Sequence, residues 1–511
     1  MRHPGLLVTA LALGFVLGTP AHSADPESPL MREVIEALNT GDQAGFERFA
    51  REHYSSAALA ETPADEQADA LARIYVETGG LVLERIVAEH EGWVQAEVHD
   101  SIGAVRYCAT LRQVDQDGRT LASGFSLKGL YPGGPALSDP TPREVAQSVG
   151  ALAAGYARRG DFSGVVLLVK DDRIILHRAY GSASLAYERP MTLDTRLNIA
   201  SIGKSITGTA IAQLVEAGRL SYDDVVGKYL PNYPDAGVRD RATVRQLLSH
   251  TSGLGPEDYY QRPQWAAARP SLRSVADYLA LVGDTPLGAK PGEYLYSNSG
   301  YVLLGAIVER VSGQSFYDYV QHQIFERAGM TRALYHEMDA EDRDVATPLT
   351  NLFPKGEGYV FRLGRPRSAV YELPARGGPQ GGAYLTAADL FAFVRALRGG
   401  KLISADSLAL MMTAQSQEGA GARGLAGEVR EGLGLEVITQ NGHRLYGHTG
   451  GDLGVASLMY WFPDTGYTTI VLSNRDPRAA RVIANVSRTL LTRRTIGGAT
   501  PPSQACVPPA E

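Results

Sequence analysis

The chain is poor in several things, and each scarcity excludes a class. Only two cysteines, Cys108 and Cys506, occur in 511 residues, so neither a disulfide framework nor a cysteine-rich zinc protein is encoded. Lysine and arginine total 49 against 56 acidic residues, a formal charge of −7. This balance offers no basic surface for a polyanion and speaks against a nucleic-acid partner. There is one marked apolar run, Leu6–Gly18. It is short for a bilayer span, and no later stretch reaches 18 apolar residues. Hydrophobic residues at 44% and charged residues at 21% are the proportions of a folded chain rather than a disordered one.

Arg2 precedes the apolar run, and Ala21 and Ser23 follow it. A basic start, a short apolar stretch and small residues read as a signal peptide over 1–23, and hence as an exported protein, periplasmic or extracellular, with no stable membrane span after cleavage. Export would permit a Cys108–Cys506 disulfide. Spacing leaves that pair and two free thiols both open.

The rest divides by pattern. Residues 24–130 read as a small α+β accessory unit. Leu30, Val34 and Leu38 repeat at helical spacing, a second helix starts near Phe46, and Val94, Ala96 and Val98 alternate as in a strand. Two helices followed by a meandering sheet resemble cone-shaped domains of the nuclear-transport-factor-like type. Residues 131–142 are rich in proline and glycine and read as a linker. Across 143–495, hairpins at both ends (Val165–Ala179 and Val455–Ser473) enclose helical stretches. They predict one antiparallel sheet built from both ends of the domain, flanked by helices, with a helical subdomain between. The tail 496–511 reads as disordered.

Three short motifs carry chemistry. Ser201-Ile202-Gly203-Lys204 opens a helix, so the serine oxygen and the lysine amine share one face. A serine needs a base to become nucleophilic, and a lysine kept neutral can serve. Tyr296-Ser297-Asn298 lies on a loop before a helix of roughly 301–310. A phenol there can relay a proton, and the amide can hold a substrate carbonyl. His448-Thr449-Gly450-Gly451 precedes the Val455 strand, where glycines let a substrate backbone approach and an N–H can complete an oxyanion hole. Each has an ordinary reading too: a helix cap, a loop tyrosine, a glycine turn. His90 and His99 read as strand-surface residues, and no metal-like spacing extends them.

Taken in order, the three motifs resemble those of the serine β-lactamase and penicillin-binding-protein superfamily. The similarity is greatest to the branch of class C β-lactamases, esterases and D-amino-acid peptidases. Leu247–Leu254 (LLSHTSGL), Gly381–Leu390 (GGAYLTAADL) and Val471–Asn474 (VLSN) strengthen the resemblance, which covers about 145–495. It implies an α+β fold and an acyl-enzyme at Ser201, with Lys204 as base and Tyr296 as proton shuttle. It implies substrate contacts at Asn298, His448, Thr449, Gly450 and Gly451, an oxyanion hole from the Ser201 and Gly451 N–H groups, a structural His250, and no metal or organic cofactor. The substrates implied are esters, amides or peptides, peptidoglycan among them. β-Lactamases proper carry lysine where His448 stands, which ranks β-lactam hydrolysis behind esterase and D-peptidase activity. The alternative is a non-catalytic penicillin- or peptidoglycan-binding protein.

Overall fold

The computed structural model describes residues 28–101, 105–130, 140–255, 264–283, 285–356, 358–416, 428–492 and 506. The expected signal peptide, most of the linker and all of the tail except Cys506 lie outside them.

The first unit holds four helices where the sequence pattern suggested two: α1 (Pro29–Asn39), α2 (Gln43–His53), α3 (Ser56–Glu61) and α4 (Ala64–Thr78). Local chemistry starts them. Ser28 accepts the Met31 N–H with Pro29 in the first turn, and Asp42 and Ser55 cap α2 and α3. The short α3 and the Ala-rich α4 lack a strong apolar stripe, so periodicity alone passed over them. A four-stranded antiparallel meander follows: β1 (Leu81–His90), β2 (Trp93–Asp100), β3 (Arg106–Gln116) and β4 (Arg119–Leu130). Asp117 and Gly118 both have positive φ at the β3–β4 turn, the two-residue geometry that Asp-Gly favours. His90 stacks on Trp93, and the His99 ring meets the Asp100 carbonyl.

A capping box at Thr141 and Glu144, with Pro142 in the first turn, launches α5 (Pro142–Arg158). The second unit is built on seven antiparallel strands. Their order is Glu428–Glu431, Glu436–Gln440, His443–Asp452, Val455–Phe462, Tyr467–Ser473, β5 (Gly164–Lys170) and β6 (Arg173–Tyr180). Both ends of the domain thus meet in one sheet, Tyr467–Ser473 beside β5. Both faces are covered, so the central strands read as unbroken apolar runs. On β5, Val165, Leu167 and Val169 enter a core with α6 (Gly203–Glu216) and the helices Asn298–Ser312 and Ala387–Arg398. Val166 and Leu168 point the other way, into a core with α5 and the helix Arg478–Leu491.

That second core does not stop at the domain. It runs on through Met31, Val34, Phe46 and Leu71 of the first unit. Ion pairs Lys355–Asp65 and Arg478–Glu77 cross the same seam. The Tyr156 hydroxyl donates to the Glu77 carbonyl there, and the Phe361 N–H donates to Asp69. Cys108 and Cys506 are disulfide-bonded with Cα atoms 5.3 Å apart, which settles the pairing that sequence left open. Among the described residues, no helix is long and apolar enough to cross a membrane and no cluster has the makings of a metal site.

Candidate active site

Ser201 sits in a single 3-10 turn, Ala200–Ile202, that runs straight into α6. Every residue of α6 from Gly203 to Leu214 is buried, so the helix is a central post rather than an amphipathic surface helix. Its one cation, Lys204, is completely buried and reaches back one turn. The Lys204 Nζ lies 3.0 Å from Ser201 Oγ, 2.6 Å from Asn298 Oδ1 and 2.8 Å from the Gln380 carbonyl. A neutral amine has two N–H groups and one lone pair. In a neutral lysine the amide oxygen and the carbonyl, which only accept, would take the two N–H groups, and the lone pair would face the serine hydroxyl.

The backbone before the serine is held in a sparsely populated conformation. Ala200 has φ +42°, unusual for a residue with a Cβ. It is over-determined by its neighbours: the Ala200 N–H donates to Asn198 Oδ1 and its carbonyl accepts from the Gly382 N–H. A Cβ on Gly381 would stand 2.3 Å from the Ala200 oxygen, so only glycine fits there.

Tyr296 reaches the same oxygen, its hydroxyl 2.8 Å from Ser201 Oγ. Its ring lies within reach of the lysine, with Nζ 4.9 Å from the centroid. The loop that carries it is tied to the 247–254 segment. The Leu295 N–H donates to the His250 carbonyl, and the Ser297 N–H donates to His250 Nδ1 at 3.0 Å. The His250 ring stacks on Tyr296 at 4.3 Å. Burial, with Lys204 and His448 nearby, holds the His250 pKa well below the usual histidine range. The ring is therefore a neutral wedge behind Tyr296, as expected of a structural residue. Ser297 caps the next helix through the Gly300 N–H. That helix begins at Asn298, three residues before its expected start.

The third motif lies within the strand His443–Asp452, rather than in the approach to Val455–Phe462, with which it forms a hairpin. Pairing with Glu436–Gln440 ends at Gly447, so from His448 onward this edge has no ladder partner among the described residues, and Glu436 Oε1 takes the Thr449 N–H instead. A Cβ on Gly450 would lie 2.9 Å from the Ser201 nitrogen and 2.4 Å from the Ile199 oxygen. Backbone packs directly on backbone here. His448 is buried, and its pKa is lowered, chiefly by desolvation. Its Nδ1 lies 2.5 Å from the Thr449 carbonyl. A carbonyl only accepts, so the neutral ring carries its proton on Nδ1.

All eight motif residues thus converge on one place. Two participants were missed by motif reading. Gln380 contributes a carbonyl just upstream of the glycine-rich segment. Glu436 accepts the Thr449 N–H and hydroxyl at 3.1 and 2.8 Å and the Tyr460 hydroxyl at 2.6 Å. It opens the strand Glu436–Gln440, where alternation predicts only a buried or exposed position. Its cross-strand partner Glu431 is also buried, and burial and the Glu436 charge raise its pKa to about 8.

A cleft of about 850 Å³ opens beside Ser201. Two of its lining residues, Leu373 and Ala200, form a small apolar cluster with Val455. Tyr187 and Tyr371, 78% and 77% exposed, stand at its rim. The segment 336–380 supplies much of its wall, and no described residue of 255–290 lines it.

A sheet covered on both faces, with a serine and a lysine one turn apart on a central helix, defines a serine-lysine hydrolase scaffold. Residues 145–493 match the Beta-lactamase family, and the chain belongs to that family. It is 30% identical over 333 residues to penicillin-binding protein 4* of Bacillus subtilis, covering 62% of this chain and 68% of that protein. It spans only 61% and 46% of the length of other curated relatives. Among solved structures it resembles a penicillin-binding protein from Bacillus halodurans at 29% identity and TM-score 0.57, covering 66% of this chain and 98% of that one. It also resembles a D-stereospecific amidohydrolase from Streptomyces sp. at 25% identity and TM-score 0.54, covering 70% and 100%.

Proposed function

We propose that the protein is an exported serine hydrolase that forms an acyl-enzyme at Ser201 on ester or amide substrates. One observation carries the reading. Tyr296 OH and Lys204 Nζ both reach Ser201 Oγ, and the lysine also meets two acceptors, Asn298 Oδ1 and the Gln380 carbonyl.

In this reading Ser201 Oγ attacks the substrate carbonyl as its proton passes to Lys204. The Ser201 and Gly451 N–H groups hold the developing oxyanion. Tyr296 passes a proton to the leaving group, and the C–O or C–N bond breaks to leave the acyl-serine. Water then attacks by the reverse route, and the acid departs. Asn298 and the strand edge His448–Gly451 align the substrate. Esters and D-amino-acid or peptidoglycan amides come first and β-lactams last, because a buried neutral His448 supplies no fixed cation for a β-lactam carboxylate. Export rests on the Leu6–Gly18 leader pattern.

Hydrolysis of p-nitrophenyl acetate and butyrate by the mature protein and by Ser201→Ala tests the reading. Turnover should fall by at least about 10³-fold in the variant, as the loss of a nucleophile requires. Nitrocefin and a D-alanyl dipeptide assayed beside them rank the substrates. Stoichiometric labelling of Ser201 by a phosphonate, with no ester turned over, would favour the non-catalytic binding protein instead.

A further inference from the structure

A second cavity lies on the seam between the two units and contains no motif residue. It measures about 940 Å³, the size of sites that hold a small organic molecule. The first unit closes it with Gly41, Tyr75 and Val76. The second supplies the link between α5 and β5, parts of 185–190 and 349–366, and Arg475. Tyr75, Phe162, Leu185, Leu349 and Leu363 give it apolar surface.

Its charge is one-sided. Four guanidiniums line it, Arg159, Arg189, Arg365 and Arg475, against two carboxylates, Asp161 and Glu188. Asp161 is paired with Arg159 at 2.6 Å. Asp476 adjoins Arg475 in sequence but is outside the lining, and it accepts from Thr350 Oγ1 and from the Asn351 and Gly454 N–H groups. Even with Asp476 counted, the cations outnumber the anions. Arg475 is half-buried, and a guanidinium has five N–H donors. It donates to Asn351 Oδ1 at 2.9 Å, its one hydrogen-bond acceptor among the described residues. Burial pushes its pKa below the ordinary arginine value, although Asp161 and Asp476 oppose the shift. Arg365 is exposed and is engaged by no hydrogen bond or ion pair among the described residues. A cation taken from water with its donors mostly unspent is matched by an oxyanion, which a planar donor fork can grip at two points.

We propose that the seam cavity is a second binding site, for a small organic anion whose phosphate or carboxylate head meets Arg475 and Arg365 and whose apolar body lies against Tyr75 and Leu363. Such a ligand touches both units at once. The site uses none of the eight motif residues, so it stands whether or not Ser201 is acylated.

Isothermal titration calorimetry of the full chain tests it, with phenyl phosphate and benzoate as the two anionic probes and benzamide as the neutral one. At least one anion should bind with Kd of about 1 mM or tighter, and benzamide at least about tenfold more weakly. Whichever anion binds identifies the head group. Arg365→Ala removes one donor set, and Arg475→Lys keeps the charge but loses the fork. Each should weaken the bound anion about tenfold, the worth of one charge-assisted hydrogen bond. Arg343→Ala, on the wall of the catalytic cleft, should leave Kd unchanged. Arg365 holds nothing in the fold, so its substitution reads the site even if Arg475→Lys does not fold. No binding of either anion up to about 10 mM, or benzamide bound as tightly as the anions, overturns the proposal. So does a Kd that responds to Arg343→Ala and not to Arg365→Ala, which would put the anion in the catalytic cleft, or one that responds to no substitution at all.

Discussion

Gly450 shows how little freedom single residues have at this site. An added methyl there would collide with the Ile199 oxygen and Ser457 Oγ at 2.4 Å and crowd the Ser201 nitrogen at 2.9 Å. Two of these three are backbone atoms of the segment that carries the nucleophile. Gly450→Ala must therefore push the strand edge off the serine. Displacements of that size cost about 100-fold in rate. Ester kcat/KM should fall by about that factor while the melting temperature drops by only a few degrees, since the rest of the sheet is untouched. An unchanged rate would show that the strand edge does not position Ser201. His250 is the complementary case, a buried neutral ring whose stacking and single N–H acceptance hold Tyr296 in place.

At the scale of elements, the strands Glu428–Glu431 and Glu436–Gln440 place two carboxyls side by side in the core. Glu431 is held near pKa 8, above its ordinary 4.5, by burial and by the Glu436 charge, while Tyr294 donates to it. Between those two pH values the folded chain keeps a proton that the unfolded chain has lost. Stability is therefore highest below pH 4.5 as far as this group is concerned and falls as pH rises toward 8. Glu431→Gln should raise the melting temperature relative to wild type by several degrees at pH 9 and give no gain at pH 4. Thermal melts at the two pH values decide it, and an equal shift at both would assign the effect to packing instead.

The elements also mark what could be read from sequence. The β5–β6 and Val455–Ser473 hairpins announce themselves because apolar runs flank turn residues. Their union in one sheet followed from the need to bury both faces. Ser201 and Lys204 stood out because helix geometry joins i to i+3, and Tyr296 and Asn298 because their motif follows in the order the family resemblance requires. Glu436 gave no such signal, since its role depends on a side chain crossing to Thr449, 13 residues away on the next strand. Gln380 acts through its carbonyl, which any residue type would provide. The helices α3 and α4 were hidden by alanine-rich composition, and the cleft wall by loops whose course local rules do not set.

For the whole molecule, the Cys108–Cys506 bond joins the chain's far end to the accessory sheet across 398 residues of sequence. Its Cys108 end lies on β3 of the accessory sheet. Cys506→Ser should lower thermal stability, by at most about 6 kcal/mol in a chain-entropy account of so long a loop. It should leave ester kcat/KM within twofold. A matching loss of activity would place the accessory unit in the reaction.

The shared core between the two units carries a consequence for inheritance. Met31, Phe46 and Leu71 are packed in one cluster with Val482, Ile483 and Val486 of the last helix. A gene segment beginning at residue 140 would encode the whole Ser201 neighbourhood, yet its product would open that apolar seam to water and self-associate. Recombination at the linker is thus penalised even though it spares every motif, so the two units are expected to travel through evolution as a single exchangeable block.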